Sequence, residues 1–131
     1  EEVEHVSLLN RTTTRAEALA DDMGGGSRVT VGRLGDVEPL TDAGLLINST
    51  AMGLEPETNA SPVGDGAGLH DGMVVVDIVY KPLETRLLQQ ARAAGARAVD
   101  GLGMLVHQGA RAFEIWTGVA PPVAAMRRAI T

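Results

Sequence analysis

Apolar positions along this chain switch between the period of a strand and that of a helix. Residues 3–9 form a mostly apolar, β-branched and leucine-bearing run, which predicts a strand. It ends in Asn10-Arg11-Thr12, and helical spacing follows at once. Thr14-x-x-Glu17 has the form of a capping box, with a helix expected to about Met23 and a stop at Gly24-Gly25-Gly26. Residues 28–31 predict a second short strand, and Pro39 within residues 36–42 indicates a helical turn or a loop. GLLINST, residues 44–50, predicts a third strand that turns polar at its end. Residues 51–71, with Pro56, Pro62 and several glycines, have the form of a long functional loop. MVVVDIVY, residues 73–80, gives the strongest strand signal, and such an unbroken apolar run suits a parallel strand covered on both faces. A helix over 85–94 closed by Gly95, a last strand over 96–99, a long helix over 103–117 ended by Gly118, and a terminal helix over 123–130 after Pro121-Pro122 complete the pattern.

Strand and helix thus alternate, which predicts an α/β fold with a doubly wound, Rossmann-like parallel sheet. Ligands in that architecture bind at the C-terminal ends of the strands. Polar clusters stand at four such ends: Asn10-Arg11-Thr12, Asn48-Ser49-Thr50, residues 77–81 and Asp100-Gly101.

Composition narrows the classes. A chain of 131 residues with 44% hydrophobic residues has material for one domain with a core, built from aliphatics because Tyr80, Phe113 and Trp116 are the only aromatics. The net charge of −6 argues against a nucleic-acid partner, which requires a broad basic surface, but leaves room for one small phosphorylated ligand. Without cysteine there are no disulfides or thiolate metal sites, and His5, His70 and His107 lack metal-ligand spacing, so no metal is expected. With no apolar run of membrane-spanning length and no signal peptide, the expectation is a cytoplasmic protein without membrane contact. The chain starts Glu1-Glu2-Val3, without Met, and enters a strand almost immediately, as a piece of a longer polypeptide would.

The end of the first strand carries the most pointed chemistry. A carboxylate there binds the ribose hydroxyls of NAD, whereas an Arg accommodates the 2′-phosphate of NADP. Arg11 offers a planar fork for phosphate oxygens and a surface for adenine, and Thr12 adds a hydroxyl. Arg15 sits in the first helical turn, where free N–H groups also favour an anion. The plain alternative is a helix start with two solvated arginines, with Asn10 shaping the turn. On the long helix, Leu105, Val106, Gly109, Ala112, Phe113 and Trp116 recur at three- and four-residue spacing and predict a core stripe. Met104, Gln108, Arg111 and Ile115 share a neighbouring face. Tyr80 stands where a cleft would open, or is a half-buried tyrosine with its hydroxyl in water. Asp77 is expected to orient backbone, Lys81 to be solvated and His107 to be structural.

Four stretches together, NRTTTRAEALA, LLINSTAMG, VVDIVYKPLETRLL and DGLGMLVHQGARAFEIWTG, resemble the C-terminal, NADP-binding half of the shikimate dehydrogenase family, in order and over nearly the whole chain. The resemblance implies an oxidoreductase of aromatic amino-acid biosynthesis, in the chorismate pathway, that reduces 3-dehydroshikimate to shikimate with NADPH. It implies that Asn10, Arg11, Thr12 and Arg15 hold the 2′-phosphate and adenine side. Asn48, Ser49 and Thr50 would line the cofactor, with Ile78, Gly101 and Met104 near the nicotinamide. Tyr80 and Gln108 would touch the small-molecule substrate.

The family also carries an N-terminal substrate domain with a catalytic Lys and Asp pair, and a first strand with a glycine-rich turn; neither is present in these residues. Residues 1–131 are therefore expected to form a partial NADP-binding domain, lacking its first strand, with no catalytic residue of its own. The strands near Val3 and Leu45 should flank a gap with sticky edges, leaving the fragment unstable and inactive alone. A quinate or amino-shikimate dehydrogenase and a non-catalytic, degenerate nucleotide-binding module are the alternatives.

Overall fold

The computed structural model describes residues 3–130. Five strands and five helices alternate except that β4 follows β3 and α5 follows α4: β1 (Val6–Asn10), α1 (Thr13–Asp22), β2 (Val29–Arg33), α2 (Glu38–Thr41), β3 (Leu45–Asn48), β4 (Val74–Asp77), α3 (Arg86–Ala93), β5 (Arg97–Val99), α4 (Leu102–Thr117) and α5 (Val123–Ile130). All ladders are parallel, as the unbroken apolar runs predict. They form two sheets: β1 with β2, and β3–β4–β5 with β4 in the centre.

The larger unit holds the core. Val75 on β4 and Leu88 and Ala91 on α3 lose all contact with solvent, and Met73, Leu87 and Ala96 join them. The local sequence sets α3 in place at both ends. Thr85 is its N-cap, accepting a hydrogen bond on its hydroxyl from the Leu88 N–H at 3.3 Å. Gly95 at φ +80° ends it: the Ala96 N–H donates to the Ala91 carbonyl and the Gly95 N–H to the Arg92 carbonyl. This pair of bonds is the Schellman arrangement that satisfies the last free carbonyls of a helix.

Several expectations need correction. The first helix begins at Thr13, capped by Thr12 without a side-chain hydrogen bond, so Thr14 lies inside it and no capping box forms with Glu17. The second strand runs over Val29–Arg33 after a short 3₁₀ turn, later than expected. The strand predicted over 73–80 is paired only over Val74–Asp77, because its neighbours β3 and β5 end at Asn48 and Val99. On α4 the buried stripe is Leu102, Val106 and Ala110, which shares only Val106 with the expected one. Leu105, Gly109, Ala112 and Phe113 are half-buried, and Trp116 is 83% exposed. Burial on α4 ends at Ala110, so the spacing that places Trp116 on a core stripe continues past the part of the helix that is covered. Residues 51–71 do run without regular structure, fastened to α3 through Gln90, which accepts from the Ser61 hydroxyl and donates to the Gly64 carbonyl.

Between β1 and β3 no ladder forms among the described residues. The two edges face a cleft, and Leu45 and Ile47 of β3 are each 55% exposed.

Candidate functional site

The cleft has a volume of about 390 Å³. Ser7, Leu8, Leu9 and Asn10 of β1 form one wall, and α1 adds Arg15, Ala16 and Leu19. Ile47 of β3, with Ser49 and Thr50 just beyond it, forms the other. The structure therefore brings four of the sequence-singled residues, Asn10, Arg15, Ser49 and Thr50, to one cavity from two separate sheets. Arg11 and Thr12 occupy the turn that joins β1 to α1, beside the cavity and outside its lining.

That turn suits an anion. Asn10 tightens it by donating from Nδ2 to the Thr12 carbonyl at 3.1 Å. The first turn of α1 has no acidic residue and no side-chain cap; the Arg15 N–H donates to the Thr12 carbonyl at 3.1 Å, and among the described residues the Thr13 and Thr14 N–H groups remain available. Arg11 and Arg15 are exposed, and among the described residues neither guanidinium has an ion-pair or hydrogen-bond partner. Two unengaged guanidiniums flanking an uncapped helix start fit a phosphate group far better than a carboxamide or a cation.

Asn48 is placed differently from Ser49 and Thr50. It is 2% exposed, and its amide is consumed by protein groups rather than open to the cleft. Its Nδ2 donates to Asp77 Oδ1 at 2.9 Å and to the Met52 carbonyl at 3.3 Å. Its Oδ1 accepts from the Thr50 N–H at 3.0 Å and the Thr50 hydroxyl at 2.7 Å. Asp77, fully buried, also accepts from the Val79 N–H at 3.0 Å and from the Thr85 hydroxyl at 2.7 Å. The expectation that Asp77 orients backbone fits its bond to the Val79 N–H, while its links to Asn48 and Thr85 are additional to that expectation. The sequence signal for the first link was two polar residues ending adjacent parallel strands.

A second group of residues gathers where β4 meets α4. Gly101 is buried so closely against the backbone beyond β4 that an added Cβ would lie 2.5 Å from the Ile78 carbonyl oxygen and 2.8 Å from that of Val79. Glycine is thus required there by close approach, and it draws Ile78 next to the start of α4. Asp100 accepts the Leu102 N–H at 3.0 Å and steadies that start. Met104 and Gln108 lie on the exposed side of α4, with the Gln108 amide donating to the Leu105 carbonyl at 3.1 Å. Tyr80 is exposed by 44% at the same end of the sheet, and among the described residues no hydrogen bond joins it to Gln108. Lys81 is solvated as expected; its ammonium stands 3.6 Å from the Glu55 carboxylate, and its carbonyl accepts the Glu55 N–H. His107 is exposed on α4 rather than part of the packing. No group of three or more potential metal ligands gathers among the described residues. No described helix is long and apolar enough to cross a membrane.

Fold and cleft together define a Rossmann-like parallel α/β domain whose polar residues cluster at the C-terminal strand ends. Within that class, residues 101–131 match the family described as "Shikimate 5'-dehydrogenase C-terminal domain". Shikimate dehydrogenase (NADP(+)) of Methanosarcina mazei is 47% identical over 130 residues, covering 95% of this chain and 46% of that protein. A crystal structure of shikimate dehydrogenase in complex with NADP+ superposes with a TM-score of 0.88 at 39% identity, over 96% of this chain and 45% of that one. Quinate dehydrogenase from Corynebacterium glutamicum in complex with NAD follows with a TM-score of 0.82 and 35% identity, over the same shares of the two chains, 96% and 45%. The chain therefore matches, in sequence and in fold, the C-terminal half of shikimate dehydrogenases. It spans about half the length of those relatives.

Proposed function

We propose that these residues are the NADP-binding part of an NADPH-dependent reductase that interconverts 3-dehydroshikimate and shikimate. One observation carries the cofactor assignment: among the described residues neither Arg11 nor Arg15 has a partner, and both stand at an uncapped helix start, with Arg15 lining the cleft and Arg11 beside it. In this reading Asn10, Arg11, Thr12 and Arg15 hold the 2′-phosphate and adenine end. Ser49 and Thr50 line the opposite wall, with Asn48 behind them. Ile78, Gly101 and Met104 bound the nicotinamide end, and Tyr80 and Gln108 face the substrate. When bound, the cofactor supplies the hydride. This chain's own residues bind and orient, and the groups that handle the substrate's proton belong to the remainder of the longer polypeptide.

The gap between β1 and β3 belongs to the same reading. Two parallel strands turn unpaired edges toward each other, and Leu45 and Ile47 are left half-exposed between them. One more parallel strand would satisfy both edges and cover those side chains, and its C-terminal end would bring a glycine-rich turn to the phosphates. That strand is proposed to come from the part of the relatives' length that these residues do not span.

The test is kinetic. In the full-length polypeptide that carries these residues, replacing Arg11 and Arg15 with Ala should weaken NADP binding by about 1.5–3 kcal/mol per lost charged contact, roughly 10- to 150-fold each. A Michaelis constant for NADP within twofold of the parent's would refute the phosphate pocket. A second reading, a quinate dehydrogenase, is favoured by the likeness to the Corynebacterium glutamicum structure. Assaying the polypeptide with shikimate and quinate, each with NADP and NAD, separates the two, and the arginine pair predicts NADP.

A further inference from the structure

Asp77 is the centre of a buried hydrogen-bond network that ties together three segments of separate chain position. It lies at the end of β4, in register with Asn48 at the end of β3. Asp77, Thr85 and Asn48 are respectively 0%, 0% and 2% exposed. Among the described residues, every hydrogen-bond partner of the Asp77 oxygens is a donor: the Asn48 amide, the Val79 N–H and the Thr85 hydroxyl. No cationic side chain is among them.

This arrangement has a direction. An Asn amide can sit either way round, and the choice is set by its partners. With the opposite orientation, the Asn48 carbonyl oxygen would stand 2.9 Å from Asp77 Oδ1, acceptor against acceptor. Asp77 thus forces the amide to present its NH₂ inward, which turns its oxygen toward Thr50. Thr50 then donates both its N–H and its hydroxyl to that oxygen, and its own oxygen accepts the Met52 N–H at 3.1 Å. On the other side, the Thr85 hydroxyl spends its proton on Asp77 and so accepts from Leu88, fixing the first turn of α3. Directly, Asp77 also holds the Val79 N–H, and with it the backbone that leads to Tyr80.

We infer that Asp77 is a positioning residue: through Asn48 it sets the cleft wall at Ser49–Met52, and through Val79 it sets the Tyr80 side of the site. The kinetic half of the test rests on the proposed dehydrogenase function; the exchange half does not. Orientation errors of this kind act on turnover more than on binding that is held from the opposite wall of the cleft. The adenosine end, held by Arg11 and Arg15 across the cleft, shares no hydrogen bond with this network among the described residues.

The experiment uses the full-length polypeptide with Asp77→Asn, and the pair Thr85→Val and Thr85→Ser. An Asn at 77 keeps the shape but turns one acceptor into a donor, so one incoming donor loses its partner. Hydrogen exchange should rise at least tenfold in peptides covering 48–53 and 77–80, with α1 unchanged. Per folded molecule, kcat should fall at least tenfold while the dissociation constant of 2′,5′-ADP stays within twofold. Thr85→Val should move both readouts the same way, and Thr85→Ser, which keeps the hydroxyl, should restore them. If Asp77→Asn does not fold, the Thr85 pair decides alone. Exchange unchanged at those segments, or raised uniformly along the chain, overturns the inference, as does a kcat within twofold of the parent's. A parent without shikimate dehydrogenase activity overturns the proposed function instead, and the exchange pattern then decides the role of Asp77.

Discussion

The two sheets of this molecule are built from the same kinds of residue and differ in what covers them. In the unit of β3, β4, β5 and α3, Val75, Leu88 and Ala91 have no solvent contact, and even the polar Asp77 and Thr85 are sealed. In the unit of β1, β2 and α1, Ala16 alone is buried, although β1 carries two leucines and β2 two valines. Apolar sequence is therefore not enough to make a core. β4 has a strand on each side and α3 across its face, whereas β1 has one neighbour and an open edge. The cleft lies at the boundary, between the β3 edge of the buried unit and the β1 edge of the exposed one.

The comparison predicts unequal costs. The largest is for Leu88→Ala: removing a fully buried side chain from α3 should cost about 2–5 kcal/mol in urea unfolding of the full-length polypeptide. Ile47→Lys sharpens the contrast because its sign should depend on context. If a further strand fills the gap, the full-length polypeptide should lose more than about 2 kcal/mol by burying an unpaired charge. In the isolated 131-residue chain the same change should raise the soluble fraction, since a lysine blunts a sticky edge. Loss of solubility in both settings would break the comparison. Gly101→Ala drives a Cβ into the Ile78 backbone and should cost about 1–3 kcal/mol by the same unfolding measurement. Smallest is Trp116→Ser, expected within about 0.5 kcal/mol of the parent in the 131-residue chain carrying Ile47→Lys, because the indole is 83% exposed there.

Much of this is legible in the sequence. Gly95 and Gly118 stop their helices as expected, each with positive φ. Asn10, Ser49 and Thr50, singled out by position at strand ends, and Arg15, by its place in the first helical turn, share one cleft, whereas Arg11, Thr12 and Asn48 lie outside its lining. The errors have a common source. Residue type and helical spacing place Trp116 in the core, and a four-residue pattern places Glu17 in a cap; in both cases the surroundings decide otherwise. Asn48 was grouped with its neighbours in a polar run, yet strand register turns it inward while Ser49 and Thr50 line the cavity.

By itself, then, the sequence determined the succession of strands and helices, the places where helices stop, and which strand ends carry cations or hydroxyls. These depend on local periodicity, backbone freedom and side-chain chemistry, all readable within a few residues. Tertiary structure alone decided that Asn48 meets Asp77 across 29 positions, that Thr85 completes their network, and that β1 and β3 stand apart. Pairing over such separations is settled by which edges and faces can be covered at once, and no local pattern encodes that.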